Sequence, residues 1–204
     1  PGRLMQPKTG MLAMTVRAYI RNPVRPVVFV PIYFGYERLV EGRTYIGELS
    51  GRPKEKESVI GMLRTLPELR SRFGKVYVSF GQPLPLDDLL ERHVPGWDRQ
   101  QPVTEEKPAW LSPLCVDLAH QIMTRINAAA CVTPVNLMGT VLLATPRQRM
   151  GEADLARQLE LYASLMRQAP YSPRVWVTDM DGAAMIRYGM SLRLLGRRPH
   201  ELGD

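Results

Sequence analysis

Three histidines, His93, His120 and His200, are the imidazoles available for proton transfer in this 204-residue chain. His93 opens the stretch HVPGWD, which places Asp98 five residues on. That is the His-x-x-x-x-Asp spacing of a general-base dyad, in which the imidazole takes a proton and the carboxylate orients the ring. A general base needs a rigid, shielded setting, and Pro95-Gly96 marks a turn within a polar stretch instead. The spacing is read here as coincidence. His120 lies among Leu118, Ala119, Ile122 and Met123, which fits a helix surface or a packed core. Glu37, Glu41 and Glu48 are close in sequence, but nothing in their spacing makes two of them an acid/base pair. Gly-x-Ser-x-Gly, a phosphate-binding P-loop and His-Glu-x-x-His do not occur.

Charge points to an anionic partner. The net charge is +7, and the basic residues are 22 Arg against 5 Lys. Arginine grips phosphate and carboxylate bidentately, so phosphorylated metabolites, acidic lipid and nucleic acid all come into view. A solvated, Arg-rich surface accounts for part of the excess. A silent lipid-docking module would need arginines gathered on one face, whereas these are scattered. A nucleic-acid-binding domain would be expected to carry an RNP-like or helix-turn-helix signature, and neither is seen. Cys115 and Cys131 form no Cys-x-x-Cys pair, so neither a disulfide scaffold nor a zinc site is supported; no cofactor is expected. Apolar runs stay below the ~18 residues of a membrane span, so membrane contact is expected to be peripheral. The chain opens on Pro1-Gly2-Arg3, which is read as the start of a fragment.

Periodicity supplies the elements that must position any site. A short amphipathic helix is predicted over 9–20, with Thr9 as N-cap. A strand follows over 26–34, interrupted by Pro31, which has no N–H to give a ladder. Val59, Met62, Leu63, Leu66, Leu69 and Phe73 fall at helical spacing, so a helix is expected over 55–74, kinked at Pro67 and ended by Gly74. Residues 75–80 alternate as a second strand, and 86–92 read as a short helix. Alternating helix and strand argue for parallel pairing, with 55–74 as the crossover. Beyond a proline-rich connector, helices are expected over 113–130, 134–144, 152–168 and about 179–196, with no strand past residue 81. The fold class is thus α/β followed by an all-helical region. The expected division is 1–92, a connector over 93–111, and 112–204.

Several stretches resemble the membrane-bound bacterial glycerol-3-phosphate acyltransferases: GRLMQPKTGMLAMTVRA, VVFVPIYFGYERLVEGRTYIGELSGRPKEKESVIGMLR, KVYVSFGQPLPL, DDLLERHVP, KPAWLSP and RINAAACVTPVNLMGTVLLA. The resemblance fades after about Tyr171. That family has four sequence blocks: a His-x-x-x-x-Asp dyad, an acceptor-binding block, a block ending in Gly-Gly-Arg-Ser-Arg-x-Gly-Arg, and an apolar–Pro–apolar block. Gly2-Arg3 match the tail of the third block and VVFVPIYFGYE the fourth. The first two blocks are not in the chain. In the family the dyad precedes the fourth block, whereas His93 follows it.

The resemblance implies part of an acyltransferase mixed sheet with crossover helices. It implies acyl transfer from acyl-CoA or acyl-carrier protein to glycerol 3-phosphate, giving lysophosphatidic acid, the first step of phospholipid biosynthesis. The expected location is peripheral, on the cytoplasmic face of the bacterial inner membrane, with a phospholipid surface as partner and no nucleic acid. The dyad would lie upstream, so the isolated chain is expected to be inactive. Arg3, and less strongly Lys8, would hold the acceptor phosphate. Pro31 would shape the acceptor pocket, with Tyr33, Tyr36 and Glu37 at its rim.

Overall fold

The computed structural model describes residues 5, 7–37, 74–97 and 108–198. The expected crossover helix over 55–74 lies outside these residues, as does Arg3. Helix α1 spans Gly10–Arg21 and buries Val16 and Tyr19. Thr9 stands at its N-cap position, but its side chain makes no cap hydrogen bond. Two short strands follow, β1 (Val28–Phe29) and β2 (Ile32–Tyr36). After them come β3 (Val76–Phe80), β4 (Leu84–Pro85) and α2 (Leu86–His93).

Pro31 divides the predicted strand in two, and each half has its own partner. β1 pairs antiparallel with β4, Val28 opposite Pro85 and Phe29 opposite Leu84. β2 pairs with β3. The Gly81 N–H donates to the Pro31 carbonyl at 2.8 Å, and the Glu37 N–H donates to the Lys75 carbonyl at 3.2 Å. Chain direction therefore reverses between the two strands, and the pair is antiparallel. This corrects the expected parallel pairing. Alternating helix and strand along a sequence does not fix strand direction, because a long connection can return the chain either way.

The register also shifts at Pro31. From Phe29 to Pro31 one strand advances two residues, while its partner passes from Leu84 to Gly81, which is three. The extra residue is a bulge. The Arg125 guanidinium fills it, donating to the carbonyls of Gln82, at 3.1 Å, and Pro83. A Cβ on Gly81 would stand 2.8 Å from the Arg125 carbonyl oxygen, so glycine is needed for this close approach.

Contacts divide the chain into two units otherwise than in sequence order. The first comprises residues 1–33, 78–130 and 172–174, and the second 34–77, 131–171 and 175–204. The first is centred on α1, α2 and α3 (Leu111–Ala128). Its core joins Val16 and Tyr19 to Leu86, Leu89 and Leu90 of α2 and to Leu114, Cys115 and Leu118 of α3. Burial raises the Cys115 thiol pKa.

The second unit is centred on α4 (Pro134–Ala144), α5 (Glu152–Gln168) and α6 (Gly182–Ser191). Leu137, Met138 and Val141 pack with Leu155, Leu159, Ala163, Met185 and Ile186. Thr133 and Asn136 form a reciprocal capping box on α4, and Pro134 at N1 is already shaped for the first turn. The Asp181 carboxylate accepts from the Ala184 N–H at 2.6 Å and caps α6. The region expected to be all helical also contains a short parallel pair. β5 (Cys131–Val132) runs beside β6 (Trp176–Val177). Two-residue strands are too short to show the alternation that announces a strand in sequence.

Candidate functional site

β2 carries two of the side chains singled out in the sequence, Tyr33 and Tyr36, with Pro31 just before it and Glu37 just after. Successive residues of a strand face opposite ways. Tyr36 is therefore on one face, exposed, while Tyr33 shares the other with Gly35 and Glu37. The structure thus separates two residues that adjoin in sequence. Tyr33 is half-buried, Pro31 is buried, and Lys8 is exposed just ahead of α1.

Glu37 lies just past the end of β2 and is only 7% exposed. A buried carboxylate must find hydrogen-bond donors in the protein. Its Oε2 accepts from the Lys75 N–H at 2.7 Å and from the Tyr188 hydroxyl. Its Oε1 accepts from the Tyr77 hydroxyl at 3.1 Å. The tyrosines are braced in turn. The Tyr77 ring packs on Trp176 with centroids 5.2 Å apart, and the Lys75 ammonium stands 5.7 Å from the centre of the Tyr188 ring. Burial first, and then the Glu37 charge and hydrogen bond for Tyr77 and the Glu37 hydrogen bond and charge for Tyr188, push both phenol pKa values well above the usual tyrosine value. Gly74 completes the enclosure. Its φ is +77°, and a Cβ there would come within 2.6 Å of Glu37 Oε2.

Sequence reading missed all of these donors. The alternation of KVYVSF does place Tyr77 opposite the exposed Val76 and Val78, and that signal was available. Tyr188 is 151 residues from Glu37, and no local pattern links them.

His93 also takes a different partner from the one its spacing offers. Its Nε2 lies 2.9 Å from Asp117 Oδ2 on α3, and Gln121 donates to the same carboxylate oxygen at 3.0 Å. The hydrogen bond from His93 holds the Asp117 carboxyl pKa below its usual value. Asp98 lies outside the described residues. His120 is exposed on α3. Among the described residues, no three His, Cys, Asp or Glu side chains gather as a metal site, and no helix is long and apolar enough to cross a membrane.

Residues 45–204 match the family model for the glycerol-3-phosphate acyltransferase C-terminal region. The chain belongs to the glycerol-3-phosphate acyltransferase family. It is 51% identical over 204 residues to the glycerol-3-phosphate acyltransferase of Xanthomonas axonopodis pv. citri, covering 100% of this chain and 23% of that protein. It is 46% identical over 202 residues to the enzyme of that name from Pseudomonas aeruginosa, covering 99% of this chain and 24% of the relative. For Xylella fastidiosa the figures are 48% over 204 residues, 100% and 24%. The chain thus spans about a quarter of the length of these acyltransferases.

Proposed function

We propose that this chain is the C-terminal part of a glycerol-3-phosphate acyltransferase. The complete protein moves a fatty acyl group from acyl-CoA or acyl-carrier protein to glycerol 3-phosphate, forming lysophosphatidic acid. The observation that carries this reading is identity near one half to enzymes of that name along the whole chain, with the apolar–Pro–apolar block intact around Pro31.

The reaction needs a base to take the proton from an acceptor hydroxyl. That oxygen attacks the thioester carbonyl, the carbon–sulfur bond breaks, and the thiol leaves with a proton. The base and its orienting carboxylate are assigned to the part of the acyltransferase that this chain does not span. Arg3 and Lys8 hold the acceptor phosphate through charge-assisted hydrogen bonds. Pro31 shapes the acceptor pocket, with Tyr33, Tyr36 and Glu37 at its rim. The enzyme works at the cytoplasmic face of the inner membrane as a peripheral protein, where its product joins the phospholipid surface.

The test is to express the complete polypeptide that contains this chain and follow thioester loss with glycerol 3-phosphate present. Acceptor-dependent release of thiol together with lysophosphatidic acid is expected. Thioester loss that is indifferent to glycerol 3-phosphate would overturn the reading.

A further inference from the structure

Glu37 cannot be at once a buried, fully engaged carboxylate and a free hand for substrate. Both of its oxygens already accept hydrogen bonds, from the Lys75 N–H, the Tyr77 hydroxyl and the Tyr188 hydroxyl. Reaching a ligand would mean leaving two half-buried phenol hydroxyls without their acceptor, which is costly. We infer that Glu37 is a positioning residue, whose carboxylate clasps the C-terminal end of β2 to the start of β3 and to α6. The adjoining Tyr36 is thereby held in place for the acceptor. The inference rests on the proposed place of Tyr36 at the acceptor pocket's rim.

Three features make the clasp more than a stray surface bond. Its donors come from the start of β3 and from α6, so together with the end of β2 three segments meet on one carboxylate. The groups around it are fixed by aromatic packing on Trp176 and by the Lys75 ammonium over the Tyr188 ring. The backbone at Gly74 has the one residue type that both its positive φ and its 2.6 Å approach to Glu37 admit. An ionised acceptor with hydrogen bonds on both oxygens is rigid, and rigidity in the supporting groups is what holds a neighbouring side chain in productive geometry. Tyr36 itself is 57% exposed on the opposite pleat, free of the clasp and next to it in the chain.

The test uses the complete acyltransferase with Tyr188→Phe, Tyr77→Phe, Glu37→Gln and the Glu37→Gln/Tyr188→Phe pair. Tyr188→Phe is expected to raise KM for glycerol 3-phosphate about tenfold, the loss of one hydrogen bond to a charged group, while KM for the acyl donor stays within about twofold. The pair should be no worse than Glu37→Gln alone, since both changes remove one interaction. Equal rises in both KM values, or no rise in either, would reduce Glu37 to a fold-stabilising residue and overturn the inference. If Glu37→Gln does not fold, the two Tyr→Phe variants carry the test, because each leaves Glu37 two donors. Urea denaturation of the same variants reads the clasp without turnover. Additive losses for Glu37 and Tyr188 would mean that they do not act together, and would sink the clasp itself. If the unaltered enzyme uses a different acyl acceptor, the proposed substrate falls, and the same KM split is then read against the acceptor it does use.

Discussion

Pro31 sits where the chain leaves one ladder for the other. Opposite Gly81 it accepts a hydrogen bond and cannot return one, so the ladder is one-sided at that pair. Serine there would supply an N–H and release φ from the pyrrolidine ring, loosening the backbone where the bulge and the register shift meet. In the complete enzyme, Pro31→Ser should raise KM for glycerol 3-phosphate by the equivalent of about 1–3 kcal/mol, the range for a constrained functional backbone position, and leave that for the acyl donor unchanged. Steady-state kinetics varying each substrate against the other at saturation decide it. A joint rise would mark Pro31 as structural. Tyr19 offers a second reading at this scale. Burial first, and then its 2.5 Å hydrogen bond to Asp87, push its pKa to about 12. A phenol whose folded pKa is raised stabilises below its unfolded pKa of 10.0 and loses that contribution as pH rises through about 12. The fall in stability on going from pH 10 to pH 12 should therefore be shallower in Tyr19→Phe, as followed by circular dichroism. Equal slopes would remove Tyr19 from the account.

Two junctions between elements lend themselves to the same kind of argument. The end of α2 is fastened to α3 by His93 and Asp117, and the folded-state pKa of Asp117 is lowered. A lowered carboxyl pKa gives stability that is present above the unfolded pKa and is lost as pH falls through the folded one. The stability advantage of the natural chain over Asp117→Asn should thus be constant near neutrality and disappear on acidification through and below the ordinary carboxylate range. Both side chains are partly exposed, so the advantage is small. Denaturation midpoints across a pH series would show it, and an advantage that grew in acid would contradict the assignment. In the second unit, helix packing outweighs capping. Leu159, 0% exposed, should cost about 2–5 kcal/mol as Leu159→Ala, whereas Thr133→Ala should cost about 0.5–2 kcal/mol through the lost capping box. Chemical denaturation of the two variants tests that order.

At the scale of the whole molecule, the chain is about a quarter of the acyltransferases it matches. The chain by itself should show no thioester turnover with glycerol 3-phosphate, because the base is assigned to the remainder. His93 is the residue to watch, since its imidazole does hold a carboxylate, Asp117, at 2.9 Å. Turnover by the chain that vanished in His93→Ala would make that pair a dyad and undo the assignment. Tyr188 belongs to the same scale. Through it a helix near the end of the sequence reaches the carboxylate that follows β2.

Helices whose apolar positions repeat every three to four residues were legible in residue order. α5 runs over the span that periodicity predicts, because a helix writes its buried face into neighbouring residues, and α4 over the nearly continuous apolar run. The family was legible as well, since VVFVPIYFGYE is contiguous, and Pro31 was marked as a break. The rest came from contacts between segments distant in the chain. Strand direction was open because a long connection permits either. β5 and β6 were invisible because two residues carry no period. The partners of Glu37 and His93 depended on which distant donors and acceptors burial brings together, for a buried charge is satisfied by neighbours in space and not by neighbours in the chain.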